Sequence, residues 1–398
     1  MGTPALARRC DVRVSTPRTS HRAPPCIWAL LSSLGENGFF SSLLGRRIWQ
    51  TWGGLMLFVL VVFSVYLGMN WYVLARLFHL FAINRTVWFY LALIPLALSF
   101  IVALALESRF GNQLTSGFFF LAMLWLGTCG LLLWILLAQQ ILALVIPLPQ
   151  RVWAISACGL ACGLALYAFV NARTIIVRHE QIPRLPLKIA HLSDIHIGSI
   201  GPSTLADIIA KTNDLKPDVI LITGDLFDNA NANTRAVAAQ LKRFAAPVLF
   251  TSGNHEAYTG HDNVRQMLAA TQIRWLRDET IDFNGIRIVG VDNSHATELL
   301  QAVLGRTPPS PVYTILMNHQ PTGFDIAAHR GIGLMLSGHV HNGQIWPFEY
   351  VVRLFYPYLK GLHANGGAFL NVSTGTGIWG PPMRLGSHSE IVLLEPMR

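Results

Sequence analysis

Four long apolar stretches constrain this chain more than any other feature of its sequence. They cover roughly residues 52–74, 86–106, 117–138 and 151–171, and their charged residues lie at the ends. Crossing the hydrocarbon core of a bilayer takes about 20 mostly apolar residues, so each stretch predicts one membrane-spanning helix. The third stretch extends to residue 146, which is long for one crossing but too short for two. The sequence therefore predicts an all-α, four-helix transmembrane domain over residues 49–173, with core helices of a large soluble domain as the alternative.

The positive charge of the chain is confined to its first half. Residues 1–173 contain 12 basic and 3 acidic residues, which accounts for the net charge of +9 of the whole chain. Many of these basic residues are arginines in residues 1–48, a segment rich in Arg, Ser and Pro that is expected to be disordered. Basic segments tend to remain on the cytoplasmic side of a membrane, and four crossings return the chain to the same side. We therefore expect residues 174–398 to be cytoplasmic.

Residues 174–398 differ in composition from the membrane half. Their basic and acidic residues balance at 18 each, without a basic stripe. Binding to a phosphate backbone depends on clustered Lys and Arg, so nucleic acid is not expected as a partner. The five cysteines of the chain all precede residue 174, which excludes disulfides and thiolate metal ligands from this half.

Short apolar, β-branched runs recur after a linker that spans residues 172–186 and contains Pro183 and Pro186. They predict strands over residues 187–192, 218–223, 247–252, 286–291, 313–318, 334–337, 368–373 and 390–395. Amphipathic stretches between them predict helices over about residues 203–215, 233–244, 261–271, 295–304 and 322–329. Such alternation predicts an α/β sandwich whose ligands gather at the strand ends.

Metal-capable side chains follow almost every one of these strands. In chain order they are Asp194 and His196, then Asp225 and Asp228, then Asn254, His255 and Glu256, then Asn318 and His319, then His339 and His341. A single histidine after a strand is more often a hydrogen-bonding group than a ligand. Five clusters in succession are not explained by chance, and they favour a dinuclear metal site over a set of ordinary polar strand ends.

The order of these clusters resembles the calcineurin-like metallophosphoesterases, whose pattern runs D-x-H, G-D, G-N-H, H and G-H-x-H. All five blocks are present in order between about residues 187 and 396. The tracts GNHEAYTG, GHVHNGQIWPF and STGTGIWGPPMRLG are similar to a bacterial branch that includes membrane-anchored forms with several N-terminal helices. Asn342 departs from that branch, which usually has glycine there. The resemblance implies a four-layer-type α/β sandwich over residues 174–398, metal-dependent phosphoester hydrolysis, and a place in the inner or plasma membrane of a bacterium.

The resemblance also implies a role for each cluster. One divalent metal would be held by Asp194, His196 and His341, the other by Asn254, His319 and His339, and Asp225 would bridge the two. A bridging ligand needs two donor oxygens, which a carboxylate supplies. The summed formal charge of two divalent metals, two carboxylates and one hydroxide stays positive, which would attract an anionic phosphate. Nitrogen and oxygen ligands without thiolate leave Mn, Fe and Zn as candidates. Gly224, Gly253 and Gly338 are expected to permit tight turns that aim the ligands.

Two neighbouring metals can acidify a bound water and hold the attacking and leaving oxygens of an in-line displacement, so the expected nucleophile is a bridging hydroxide. His255 lies beside a ligand without being one in the family pattern. It is expected to stabilise the developing charge or to protonate the leaving group, and the alternative is that it only orients a ligand. Asp225 and His255 are thus the candidate catalytic residues, whereas Asp228 and Glu256 are equally explained as turn or supporting residues.

An aromatic stretch, IWPFEYVVRLFYPYLKGLH (residues 345–363), follows the last ligands and interleaves rings with basic residues. This composition suits a bilayer interface or the rim of an acyl-chain site, and a hydrophobic core beneath a loop explains it equally well. Trp346, Phe348 and Arg353 are the resulting substrate-binding candidates. Together with the membrane helices, they favour hydrolysis of a phosphodiester, phosphomonoester or pyrophosphate bond in a lipid-linked substrate. The alternatives are an anchored hydrolase of soluble phosphoesters and, from another class, a transporter or scaffold with a regulatory phosphoesterase-like domain.

Overall fold

The computed structural model describes residues 52–292, 297–308 and 310–397. Its first part consists of four long helices, α1 (Trp52–Leu80), α2 (Val87–Phe110), α3 (Gln113–Leu142) and α4 (Gln150–Asn171). By length and composition each is able to cross a membrane, α1 over Leu60–Leu80 and the other three over their whole length. The prediction of four apolar helices is confirmed. The predicted basic segment, residues 1–48, lies outside the described residues.

Packing in the helix bundle uses small residues and satisfied polar groups. Ala154, Ala157 and Ala161 form the buried face of α4, so this helix can approach its neighbours closely. The indole of Trp125 donates to the side chain of Asn70 at 2.8 Å. Arg76, expected to flank the first stretch, lies inside α1 because that helix continues to Leu80, and its guanidinium donates to Gln139 of α3 at 3.0 Å. Such bonds between helices account for these polar groups as packing contacts rather than as a transport pathway.

The second part of the described chain contains two six-stranded sheets. In chain order the strands are β1 (Ile175–Ile182), β2 (Ile189–Leu192), β3 (Val219–Thr223), β4 (Val248–Thr251), β5 (Ile273–Trp275), β6 (Glu279–Phe283), β7 (Ile286–Gly290), β8 (Tyr313–Met317), β9 (Leu334–Ser337), β10 (Gly361–Asn365), β11 (Ala368–Val372) and β12 (Ser389–Pro396). The first sheet has the order β1-β12-β2-β3-β4-β5 and the second has the order β10-β11-β9-β8-β7-β6. Strands β2 to β5 run parallel to one another, as do β7, β8, β9 and β11.

Helices cover the outer faces of both sheets. They are α5 (Pro202–Asp214), α6 (Ala232–Ala238), α7 (Asn254–Thr259), α8 (His261–Leu268), α9 (Thr297–Arg306), α10 (Phe324–His329) and α11 (Glu349–Val352), with short 3-10 helices at Ala239–Arg243 and His341–Gly343. Alternate residues of each strand have their side chains in different hydrophobic cores. Leu221 of β3 belongs to the core between the two sheets, which also contains Ile288, whereas Ile222 belongs to the outer core, which also contains Ile208 of α5. The result is a helix–sheet–sheet–helix arrangement, which confirms the predicted α/β sandwich.

The segment expected as a linker contains a strand. β1 pairs in parallel with β12, from Ile175 opposite Ser389 to Ile182 opposite Pro396. Its alternating polar residues mark an edge strand, and the prolines that suggested a linker only follow its end. Only Ala172, Arg173 and Thr174 separate α4 from β1, so the sandwich begins directly at the end of the last membrane helix. The sequence analysis also did not predict the edge strands β5, β6 and β10.

Candidate metal centre

Five strand ends deliver polar side chains to one edge of the sandwich. Asp194 and His196 follow β2, Asp225 follows β3, Asn254 follows β4, His319 follows β8, and His339 and His341 follow β9. The carboxyl ends of parallel strands meet at the same edge of a sheet, which explains why residues so distant in sequence converge. The structure brings all seven predicted ligands together, and it buries all of them except His339, which is partly exposed.

The first group consists of Asp194, His196 and His341. Nε2 of His196 lies 3.2 Å from Nε2 of His341, which in turn lies 3.4 Å from Oδ1 of Asp194. Asp228 orients the His196 ring by accepting a hydrogen bond from its Nδ1 at 2.7 Å. With its proton on Nδ1, the His196 ring directs the lone pair of Nε2 at the other two side chains.

The second group consists of Asn254, His319 and His339. Nε2 of His319 lies 3.2 Å from Oδ1 of Asn254 and 3.2 Å from Nδ1 of His339. Nδ1 of His319 donates to the backbone carbonyl of Thr223 at 2.8 Å, and Nε2 of His339 lies 3.0 Å from the hydroxyl of Tyr356. Both rings are therefore held from behind while their other nitrogens face the centre.

Asp225 lies between the two groups. Its Oδ2 is 3.2 Å from Nε2 of His319 in the second group and 4.0 Å from Nε2 of His196 in the first. Its Oδ1 accepts the backbone N–H of His255 at 2.9 Å, which fixes the plane of the carboxylate. This position suits a ligand shared by two metal ions.

The short distances around Nε2 of His319 show whether divalent cations fit the centre. Its Nε2 lies 3.2 Å from an oxygen of Asp225, from an oxygen of Asn254 and from a nitrogen of His339. Acceptor atoms come this close when a positive charge lies among them. Burial lowers the pKa of His319, but the carboxylate of Asp225 outweighs it and raises that pKa to about 9. A proton supplies the charge, and a cation would displace it. The donor set of imidazole, carboxylate and amide groups therefore fits divalent metal ions.

Left-handed backbone marks five of the seven ligand positions. Asp194, His196, Asp225, His339 and His341 have φ angles between 48° and 71°. Residues other than glycine seldom adopt this region, and the strain costs about 1 to 3 kcal/mol at each position. Such strain clusters at functional sites. Asn342 also has φ of 50°, and asparagine tolerates this region better than most residues, so the loop accommodates it where the bacterial branch usually has glycine.

Gly253 and Gly338 leave space for two carboxylates of the centre because they have no side chain. A side-chain carbon at Gly253 would collide with the carboxylate of Asp225, and one at Gly338 would collide with the carboxylate of Asp194. Of the three glycines expected to permit turns, only Gly224 has a left-handed φ, of 86°. A left-handed turn is therefore present at Gly224, whereas Gly253 and Gly338 make room for the carboxylates of Asp225 and Asp194.

Glu256 holds the loop that follows β3. Its buried carboxylate accepts the backbone N–H groups of Asp225 at 3.0 Å, Leu226 at 2.8 Å, Phe227 at 3.0 Å and Gly253 at 2.7 Å. These four bonds fix the backbone on which Asp225 is presented. The sequence left open whether Glu256 is a turn residue or a supporting residue. In the structure it supports this loop.

His255 lies beside the ligands in a strongly acidic environment. Its Nδ1 is 2.8 Å from Oδ1 of Asp228 and its Nε2 is 4.0 Å from Oδ2 of Asp225. Burial lowers the pKa of His255, but Asp225 and Asp228 outweigh it and raise that pKa to about 9. The ring can therefore donate a proton at neutral pH. His255, His196 and Asp225 also lie close enough to form a third group able to hold a metal ion.

Several large side chains in the stretch that follows His341 are exposed. Trp346, Phe348, Tyr350 and Leu354 are 49%, 55%, 61% and 77% exposed, and Arg353 is also exposed. The hydrophobic-core explanation therefore applies only to the later rings Tyr356 and Tyr358, which pack under the loop. Trp379, which the sequence analysis did not single out, is 44% exposed and its ring centre lies 5.6 Å from that of His255. Arg384 was also missed, because no local pattern marks a single arginine in the STGTGIWGPPMRLG tract.

Comparisons with known proteins agree with this geometry. A family model described as calcineurin-like phosphoesterase matches residues 187–343. The chain is 35% identical over 244 residues to a transmembrane protein with metallophosphoesterase domain from Bos taurus, covering 54% of each protein. It is 32% identical over 221 residues to an uncharacterized metallophosphoesterase from Helicobacter pylori, covering 52% of this chain and 59% of the relative. It is 28% identical over 239 residues to one from Aquifex aeolicus, covering 57% of this chain and 91% of the relative. The chain thus spans little more than half the length of the first two relatives.

Proposed function

This chain belongs to the calcineurin-like phosphoesterases, and on that premise we propose that it is a membrane-anchored phosphoester hydrolase that works with two divalent metal ions. A phosphodiester is the favoured bond, ahead of a phosphomonoester or a pyrophosphate. The observation that carries the proposal is the convergence of seven metal-capable side chains at the edge of the sandwich. They form two groups of three, and Asp225 lies between the groups.

In this proposal each group of side chains holds one ion. Asp194, His196 and His341 would hold the first, Asn254, His319 and His339 the second, and Asp225 would contact both. Bound there, two divalent cations supply the charge that activates water and stabilises the phosphate in the transition state. Mn²⁺, Fe and Zn²⁺ all suit imidazole and carboxylate donors. His255, protonated and adjacent, is placed to donate its proton to the leaving oxygen.

A lipid-linked phosphate is the proposed substrate class. The rings of Trp346 and Phe348 are exposed, and the backbone of Trp346 is connected to the end of α4 through Leu385 and Arg384. The amide of Trp346 donates to the carbonyl of Leu385 at 2.8 Å, and the amide of the adjacent Arg384 donates to the carbonyl of Ala168 in the last turn of α4 at 2.8 Å. Aromatic side chains next to a helix that crosses a bilayer suit the headgroup region and the upper part of an acyl chain. We propose that this rim contacts the acyl chain of the substrate.

The full-length protein in lipid nanodiscs with Mn²⁺ tests the lipid proposal. We expect kcat/KM for a phosphodiester with long acyl chains to exceed that for a short-chain analogue with the same scissile bond by about tenfold, since burying two methylene groups contributes about 1.6 kcal/mol. Trp346→Ser is expected to remove most of this preference and to leave the short-chain activity unchanged. Val312→Ser, at another exposed apolar position, is the matched control.

Two results would redirect the proposal. Equal kcat/KM for both chain lengths, unaffected by Trp346→Ser, would indicate an anchored hydrolase of soluble phosphoesters. Failure to hydrolyse either substrate, with less than one metal ion bound per chain, would instead support a scaffold or transporter with a regulatory phosphoesterase-like domain.

We also propose that the sandwich faces the cytoplasm of a bacterium from its inner or plasma membrane. The proposal is supported by the arginine-rich segment before α1 and by the four candidate spans. Green fluorescent protein fused to the C-terminus should fluoresce, and alkaline phosphatase fused at the same position should be inactive. Active alkaline phosphatase would place the sandwich on the opposite side.

A further inference from the structure

The loop between β11 and β12, residues 373–388, joins the metal centre to the membrane domain. At one end the amide of Thr376 donates to the carbonyl of Ser193 at 2.7 Å, and the amide of Gly377 donates to the carbonyl of the ligand Asp194 at 2.9 Å. At its other end the loop packs against two membrane helices. A side-chain carbon at Gly127 of α3 would lie 2.9 Å from Sδ of Met383 and 3.1 Å from Cβ of Pro381, so the loop packs closely against this glycine.

The backbone of Arg384 is fixed to the end of α4. Its N–H donates to the carbonyl of Ala168 at 2.8 Å, and its carbonyl accepts a hydrogen bond at 2.9 Å from the side chain of Asn171, the last residue of that helix. The same Asn171 amide also donates to the carbonyl of Ser387 at 2.9 Å. A buried asparagine thus joins the helix end to two points of the loop.

The side chain of Arg384 reaches the metal centre. Its Nη2 lies 3.2 Å from Nδ1 of His341 and donates to the carbonyl of Gly377 at 2.7 Å, and its Nη1 donates to the hydroxyl of Ser387 at 3.1 Å. The amide of the same Gly377 is the group that bonds to the carbonyl of Asp194. Arg384 therefore holds the loop in the position from which it contacts Asp194.

The guanidinium of Arg384 is fully buried, although no carboxylate of the described residues lies within ion-pair distance of it. Burying an arginine without an ion-pair partner costs desolvation free energy. An apolar side chain would fill the same space without that cost. The bond of Arg384 to the carbonyl of Gly377, whose amide contacts the carbonyl of Asp194, therefore points to a role in the centre.

We infer that Arg384 is a positioning residue for Asp194, acting through Gly377, and that it couples this ligand to the end of α4. The membrane domain is then a structural part of the metal centre and not only an anchor. The inference rests on the proposed function in one respect, the assignment of Asp194 as a metal ligand.

The experiment uses full-length protein in nanodiscs, with Mn²⁺ binding measured by elemental analysis and by electron paramagnetic resonance. Loss of a supporting contact behind a metal ligand weakens metal binding by about 10-fold to 100-fold. We expect Arg384→Gln to weaken one of the two Mn²⁺ sites by this amount and to leave the other unchanged, so that the spectrum of a coupled pair gives way to that of an isolated ion. Arg384→Lys should restore binding in part, because it keeps the charge but reaches fewer acceptors.

Asn171→Leu tests the coupling at a distance, because Asn171 contacts no ligand. It should weaken the same single site in the same direction. Arg173→Gln is the matched control, since Arg173 is exposed two residues further along the chain and its side chain contacts the carbonyl and the ring of Phe169. Equal weakening of both sites in Arg384→Gln, or unchanged Mn²⁺ affinity in Asn171→Leu, would overturn the inference. Fewer than two Mn²⁺ ions in the unaltered protein would instead refute the proposed function.

Discussion

Asp225→Asn is expected to reduce hydrolysis by about a thousandfold or more, which corresponds to about 4 kcal/mol of activation free energy. The substitution keeps the shape of the side chain and removes its charge. It also replaces one of the two carboxylate oxygens with an NH₂ group, which cannot be a metal ligand. Because Oδ2 faces both groups and Oδ1 accepts the His255 amide, either orientation of the new amide disrupts the centre.

The measurement is Mn²⁺-dependent hydrolysis of bis-p-nitrophenyl phosphate and p-nitrophenyl phosphate by the full-length protein. Asp262→Asn, which neutralises an exposed carboxylate on α8, should keep full activity. The ratio of the two rates in the unaltered protein distinguishes diester from monoester preference. An Asp225→Asn protein that keeps more than about a tenth of the activity would exclude Asp225 as the shared ligand, since that loss is only about 1.4 kcal/mol.

The convergence of the seven metal-capable side chains could be predicted from sequence because each follows closely on an apolar strand. The strands that carry Asp194, Asp225 and Asn254 are parallel neighbours, so a local pattern is enough to place their ends together. The backbone at these positions could not be predicted in the same way. Left-handed φ angles at Asp194 and Asp225 are imposed by the surrounding packing and leave no mark in residue type.

Contacts between distant segments account for most of what the sequence did not predict. β1 depends on pairing with β12, which lies more than 200 residues further along the chain, and an edge strand of mixed polarity resembles a linker when read alone. The membrane helices were predicted in number but not in length. α1 continues past Arg76 because Gln139 of α3 satisfies its guanidinium, a contact that hydropathy does not reveal.

His255→Ala is expected to lower kcat by about 100-fold to 1,000-fold for a phosphodiester with an alkyl leaving group, the range for loss of a positioned proton donor. The loss should be much smaller for a p-nitrophenyl ester, because p-nitrophenolate leaves without a proton. His329→Ala, at the end of α10, is the control and should behave as the unaltered protein.

The pH profile and the metal content decide between the roles left open for His255. Its pKa is raised to about 9, so the unaltered protein should lose activity on the alkyl ester as the pH rises above 9 and the ring loses its proton. The His255→Ala variant should lack this alkaline decline while still binding two metal ions per chain. Retention of only one ion would instead make His255 a ligand, together with His196 and Asp225, and the role of proton donor would then be wrong.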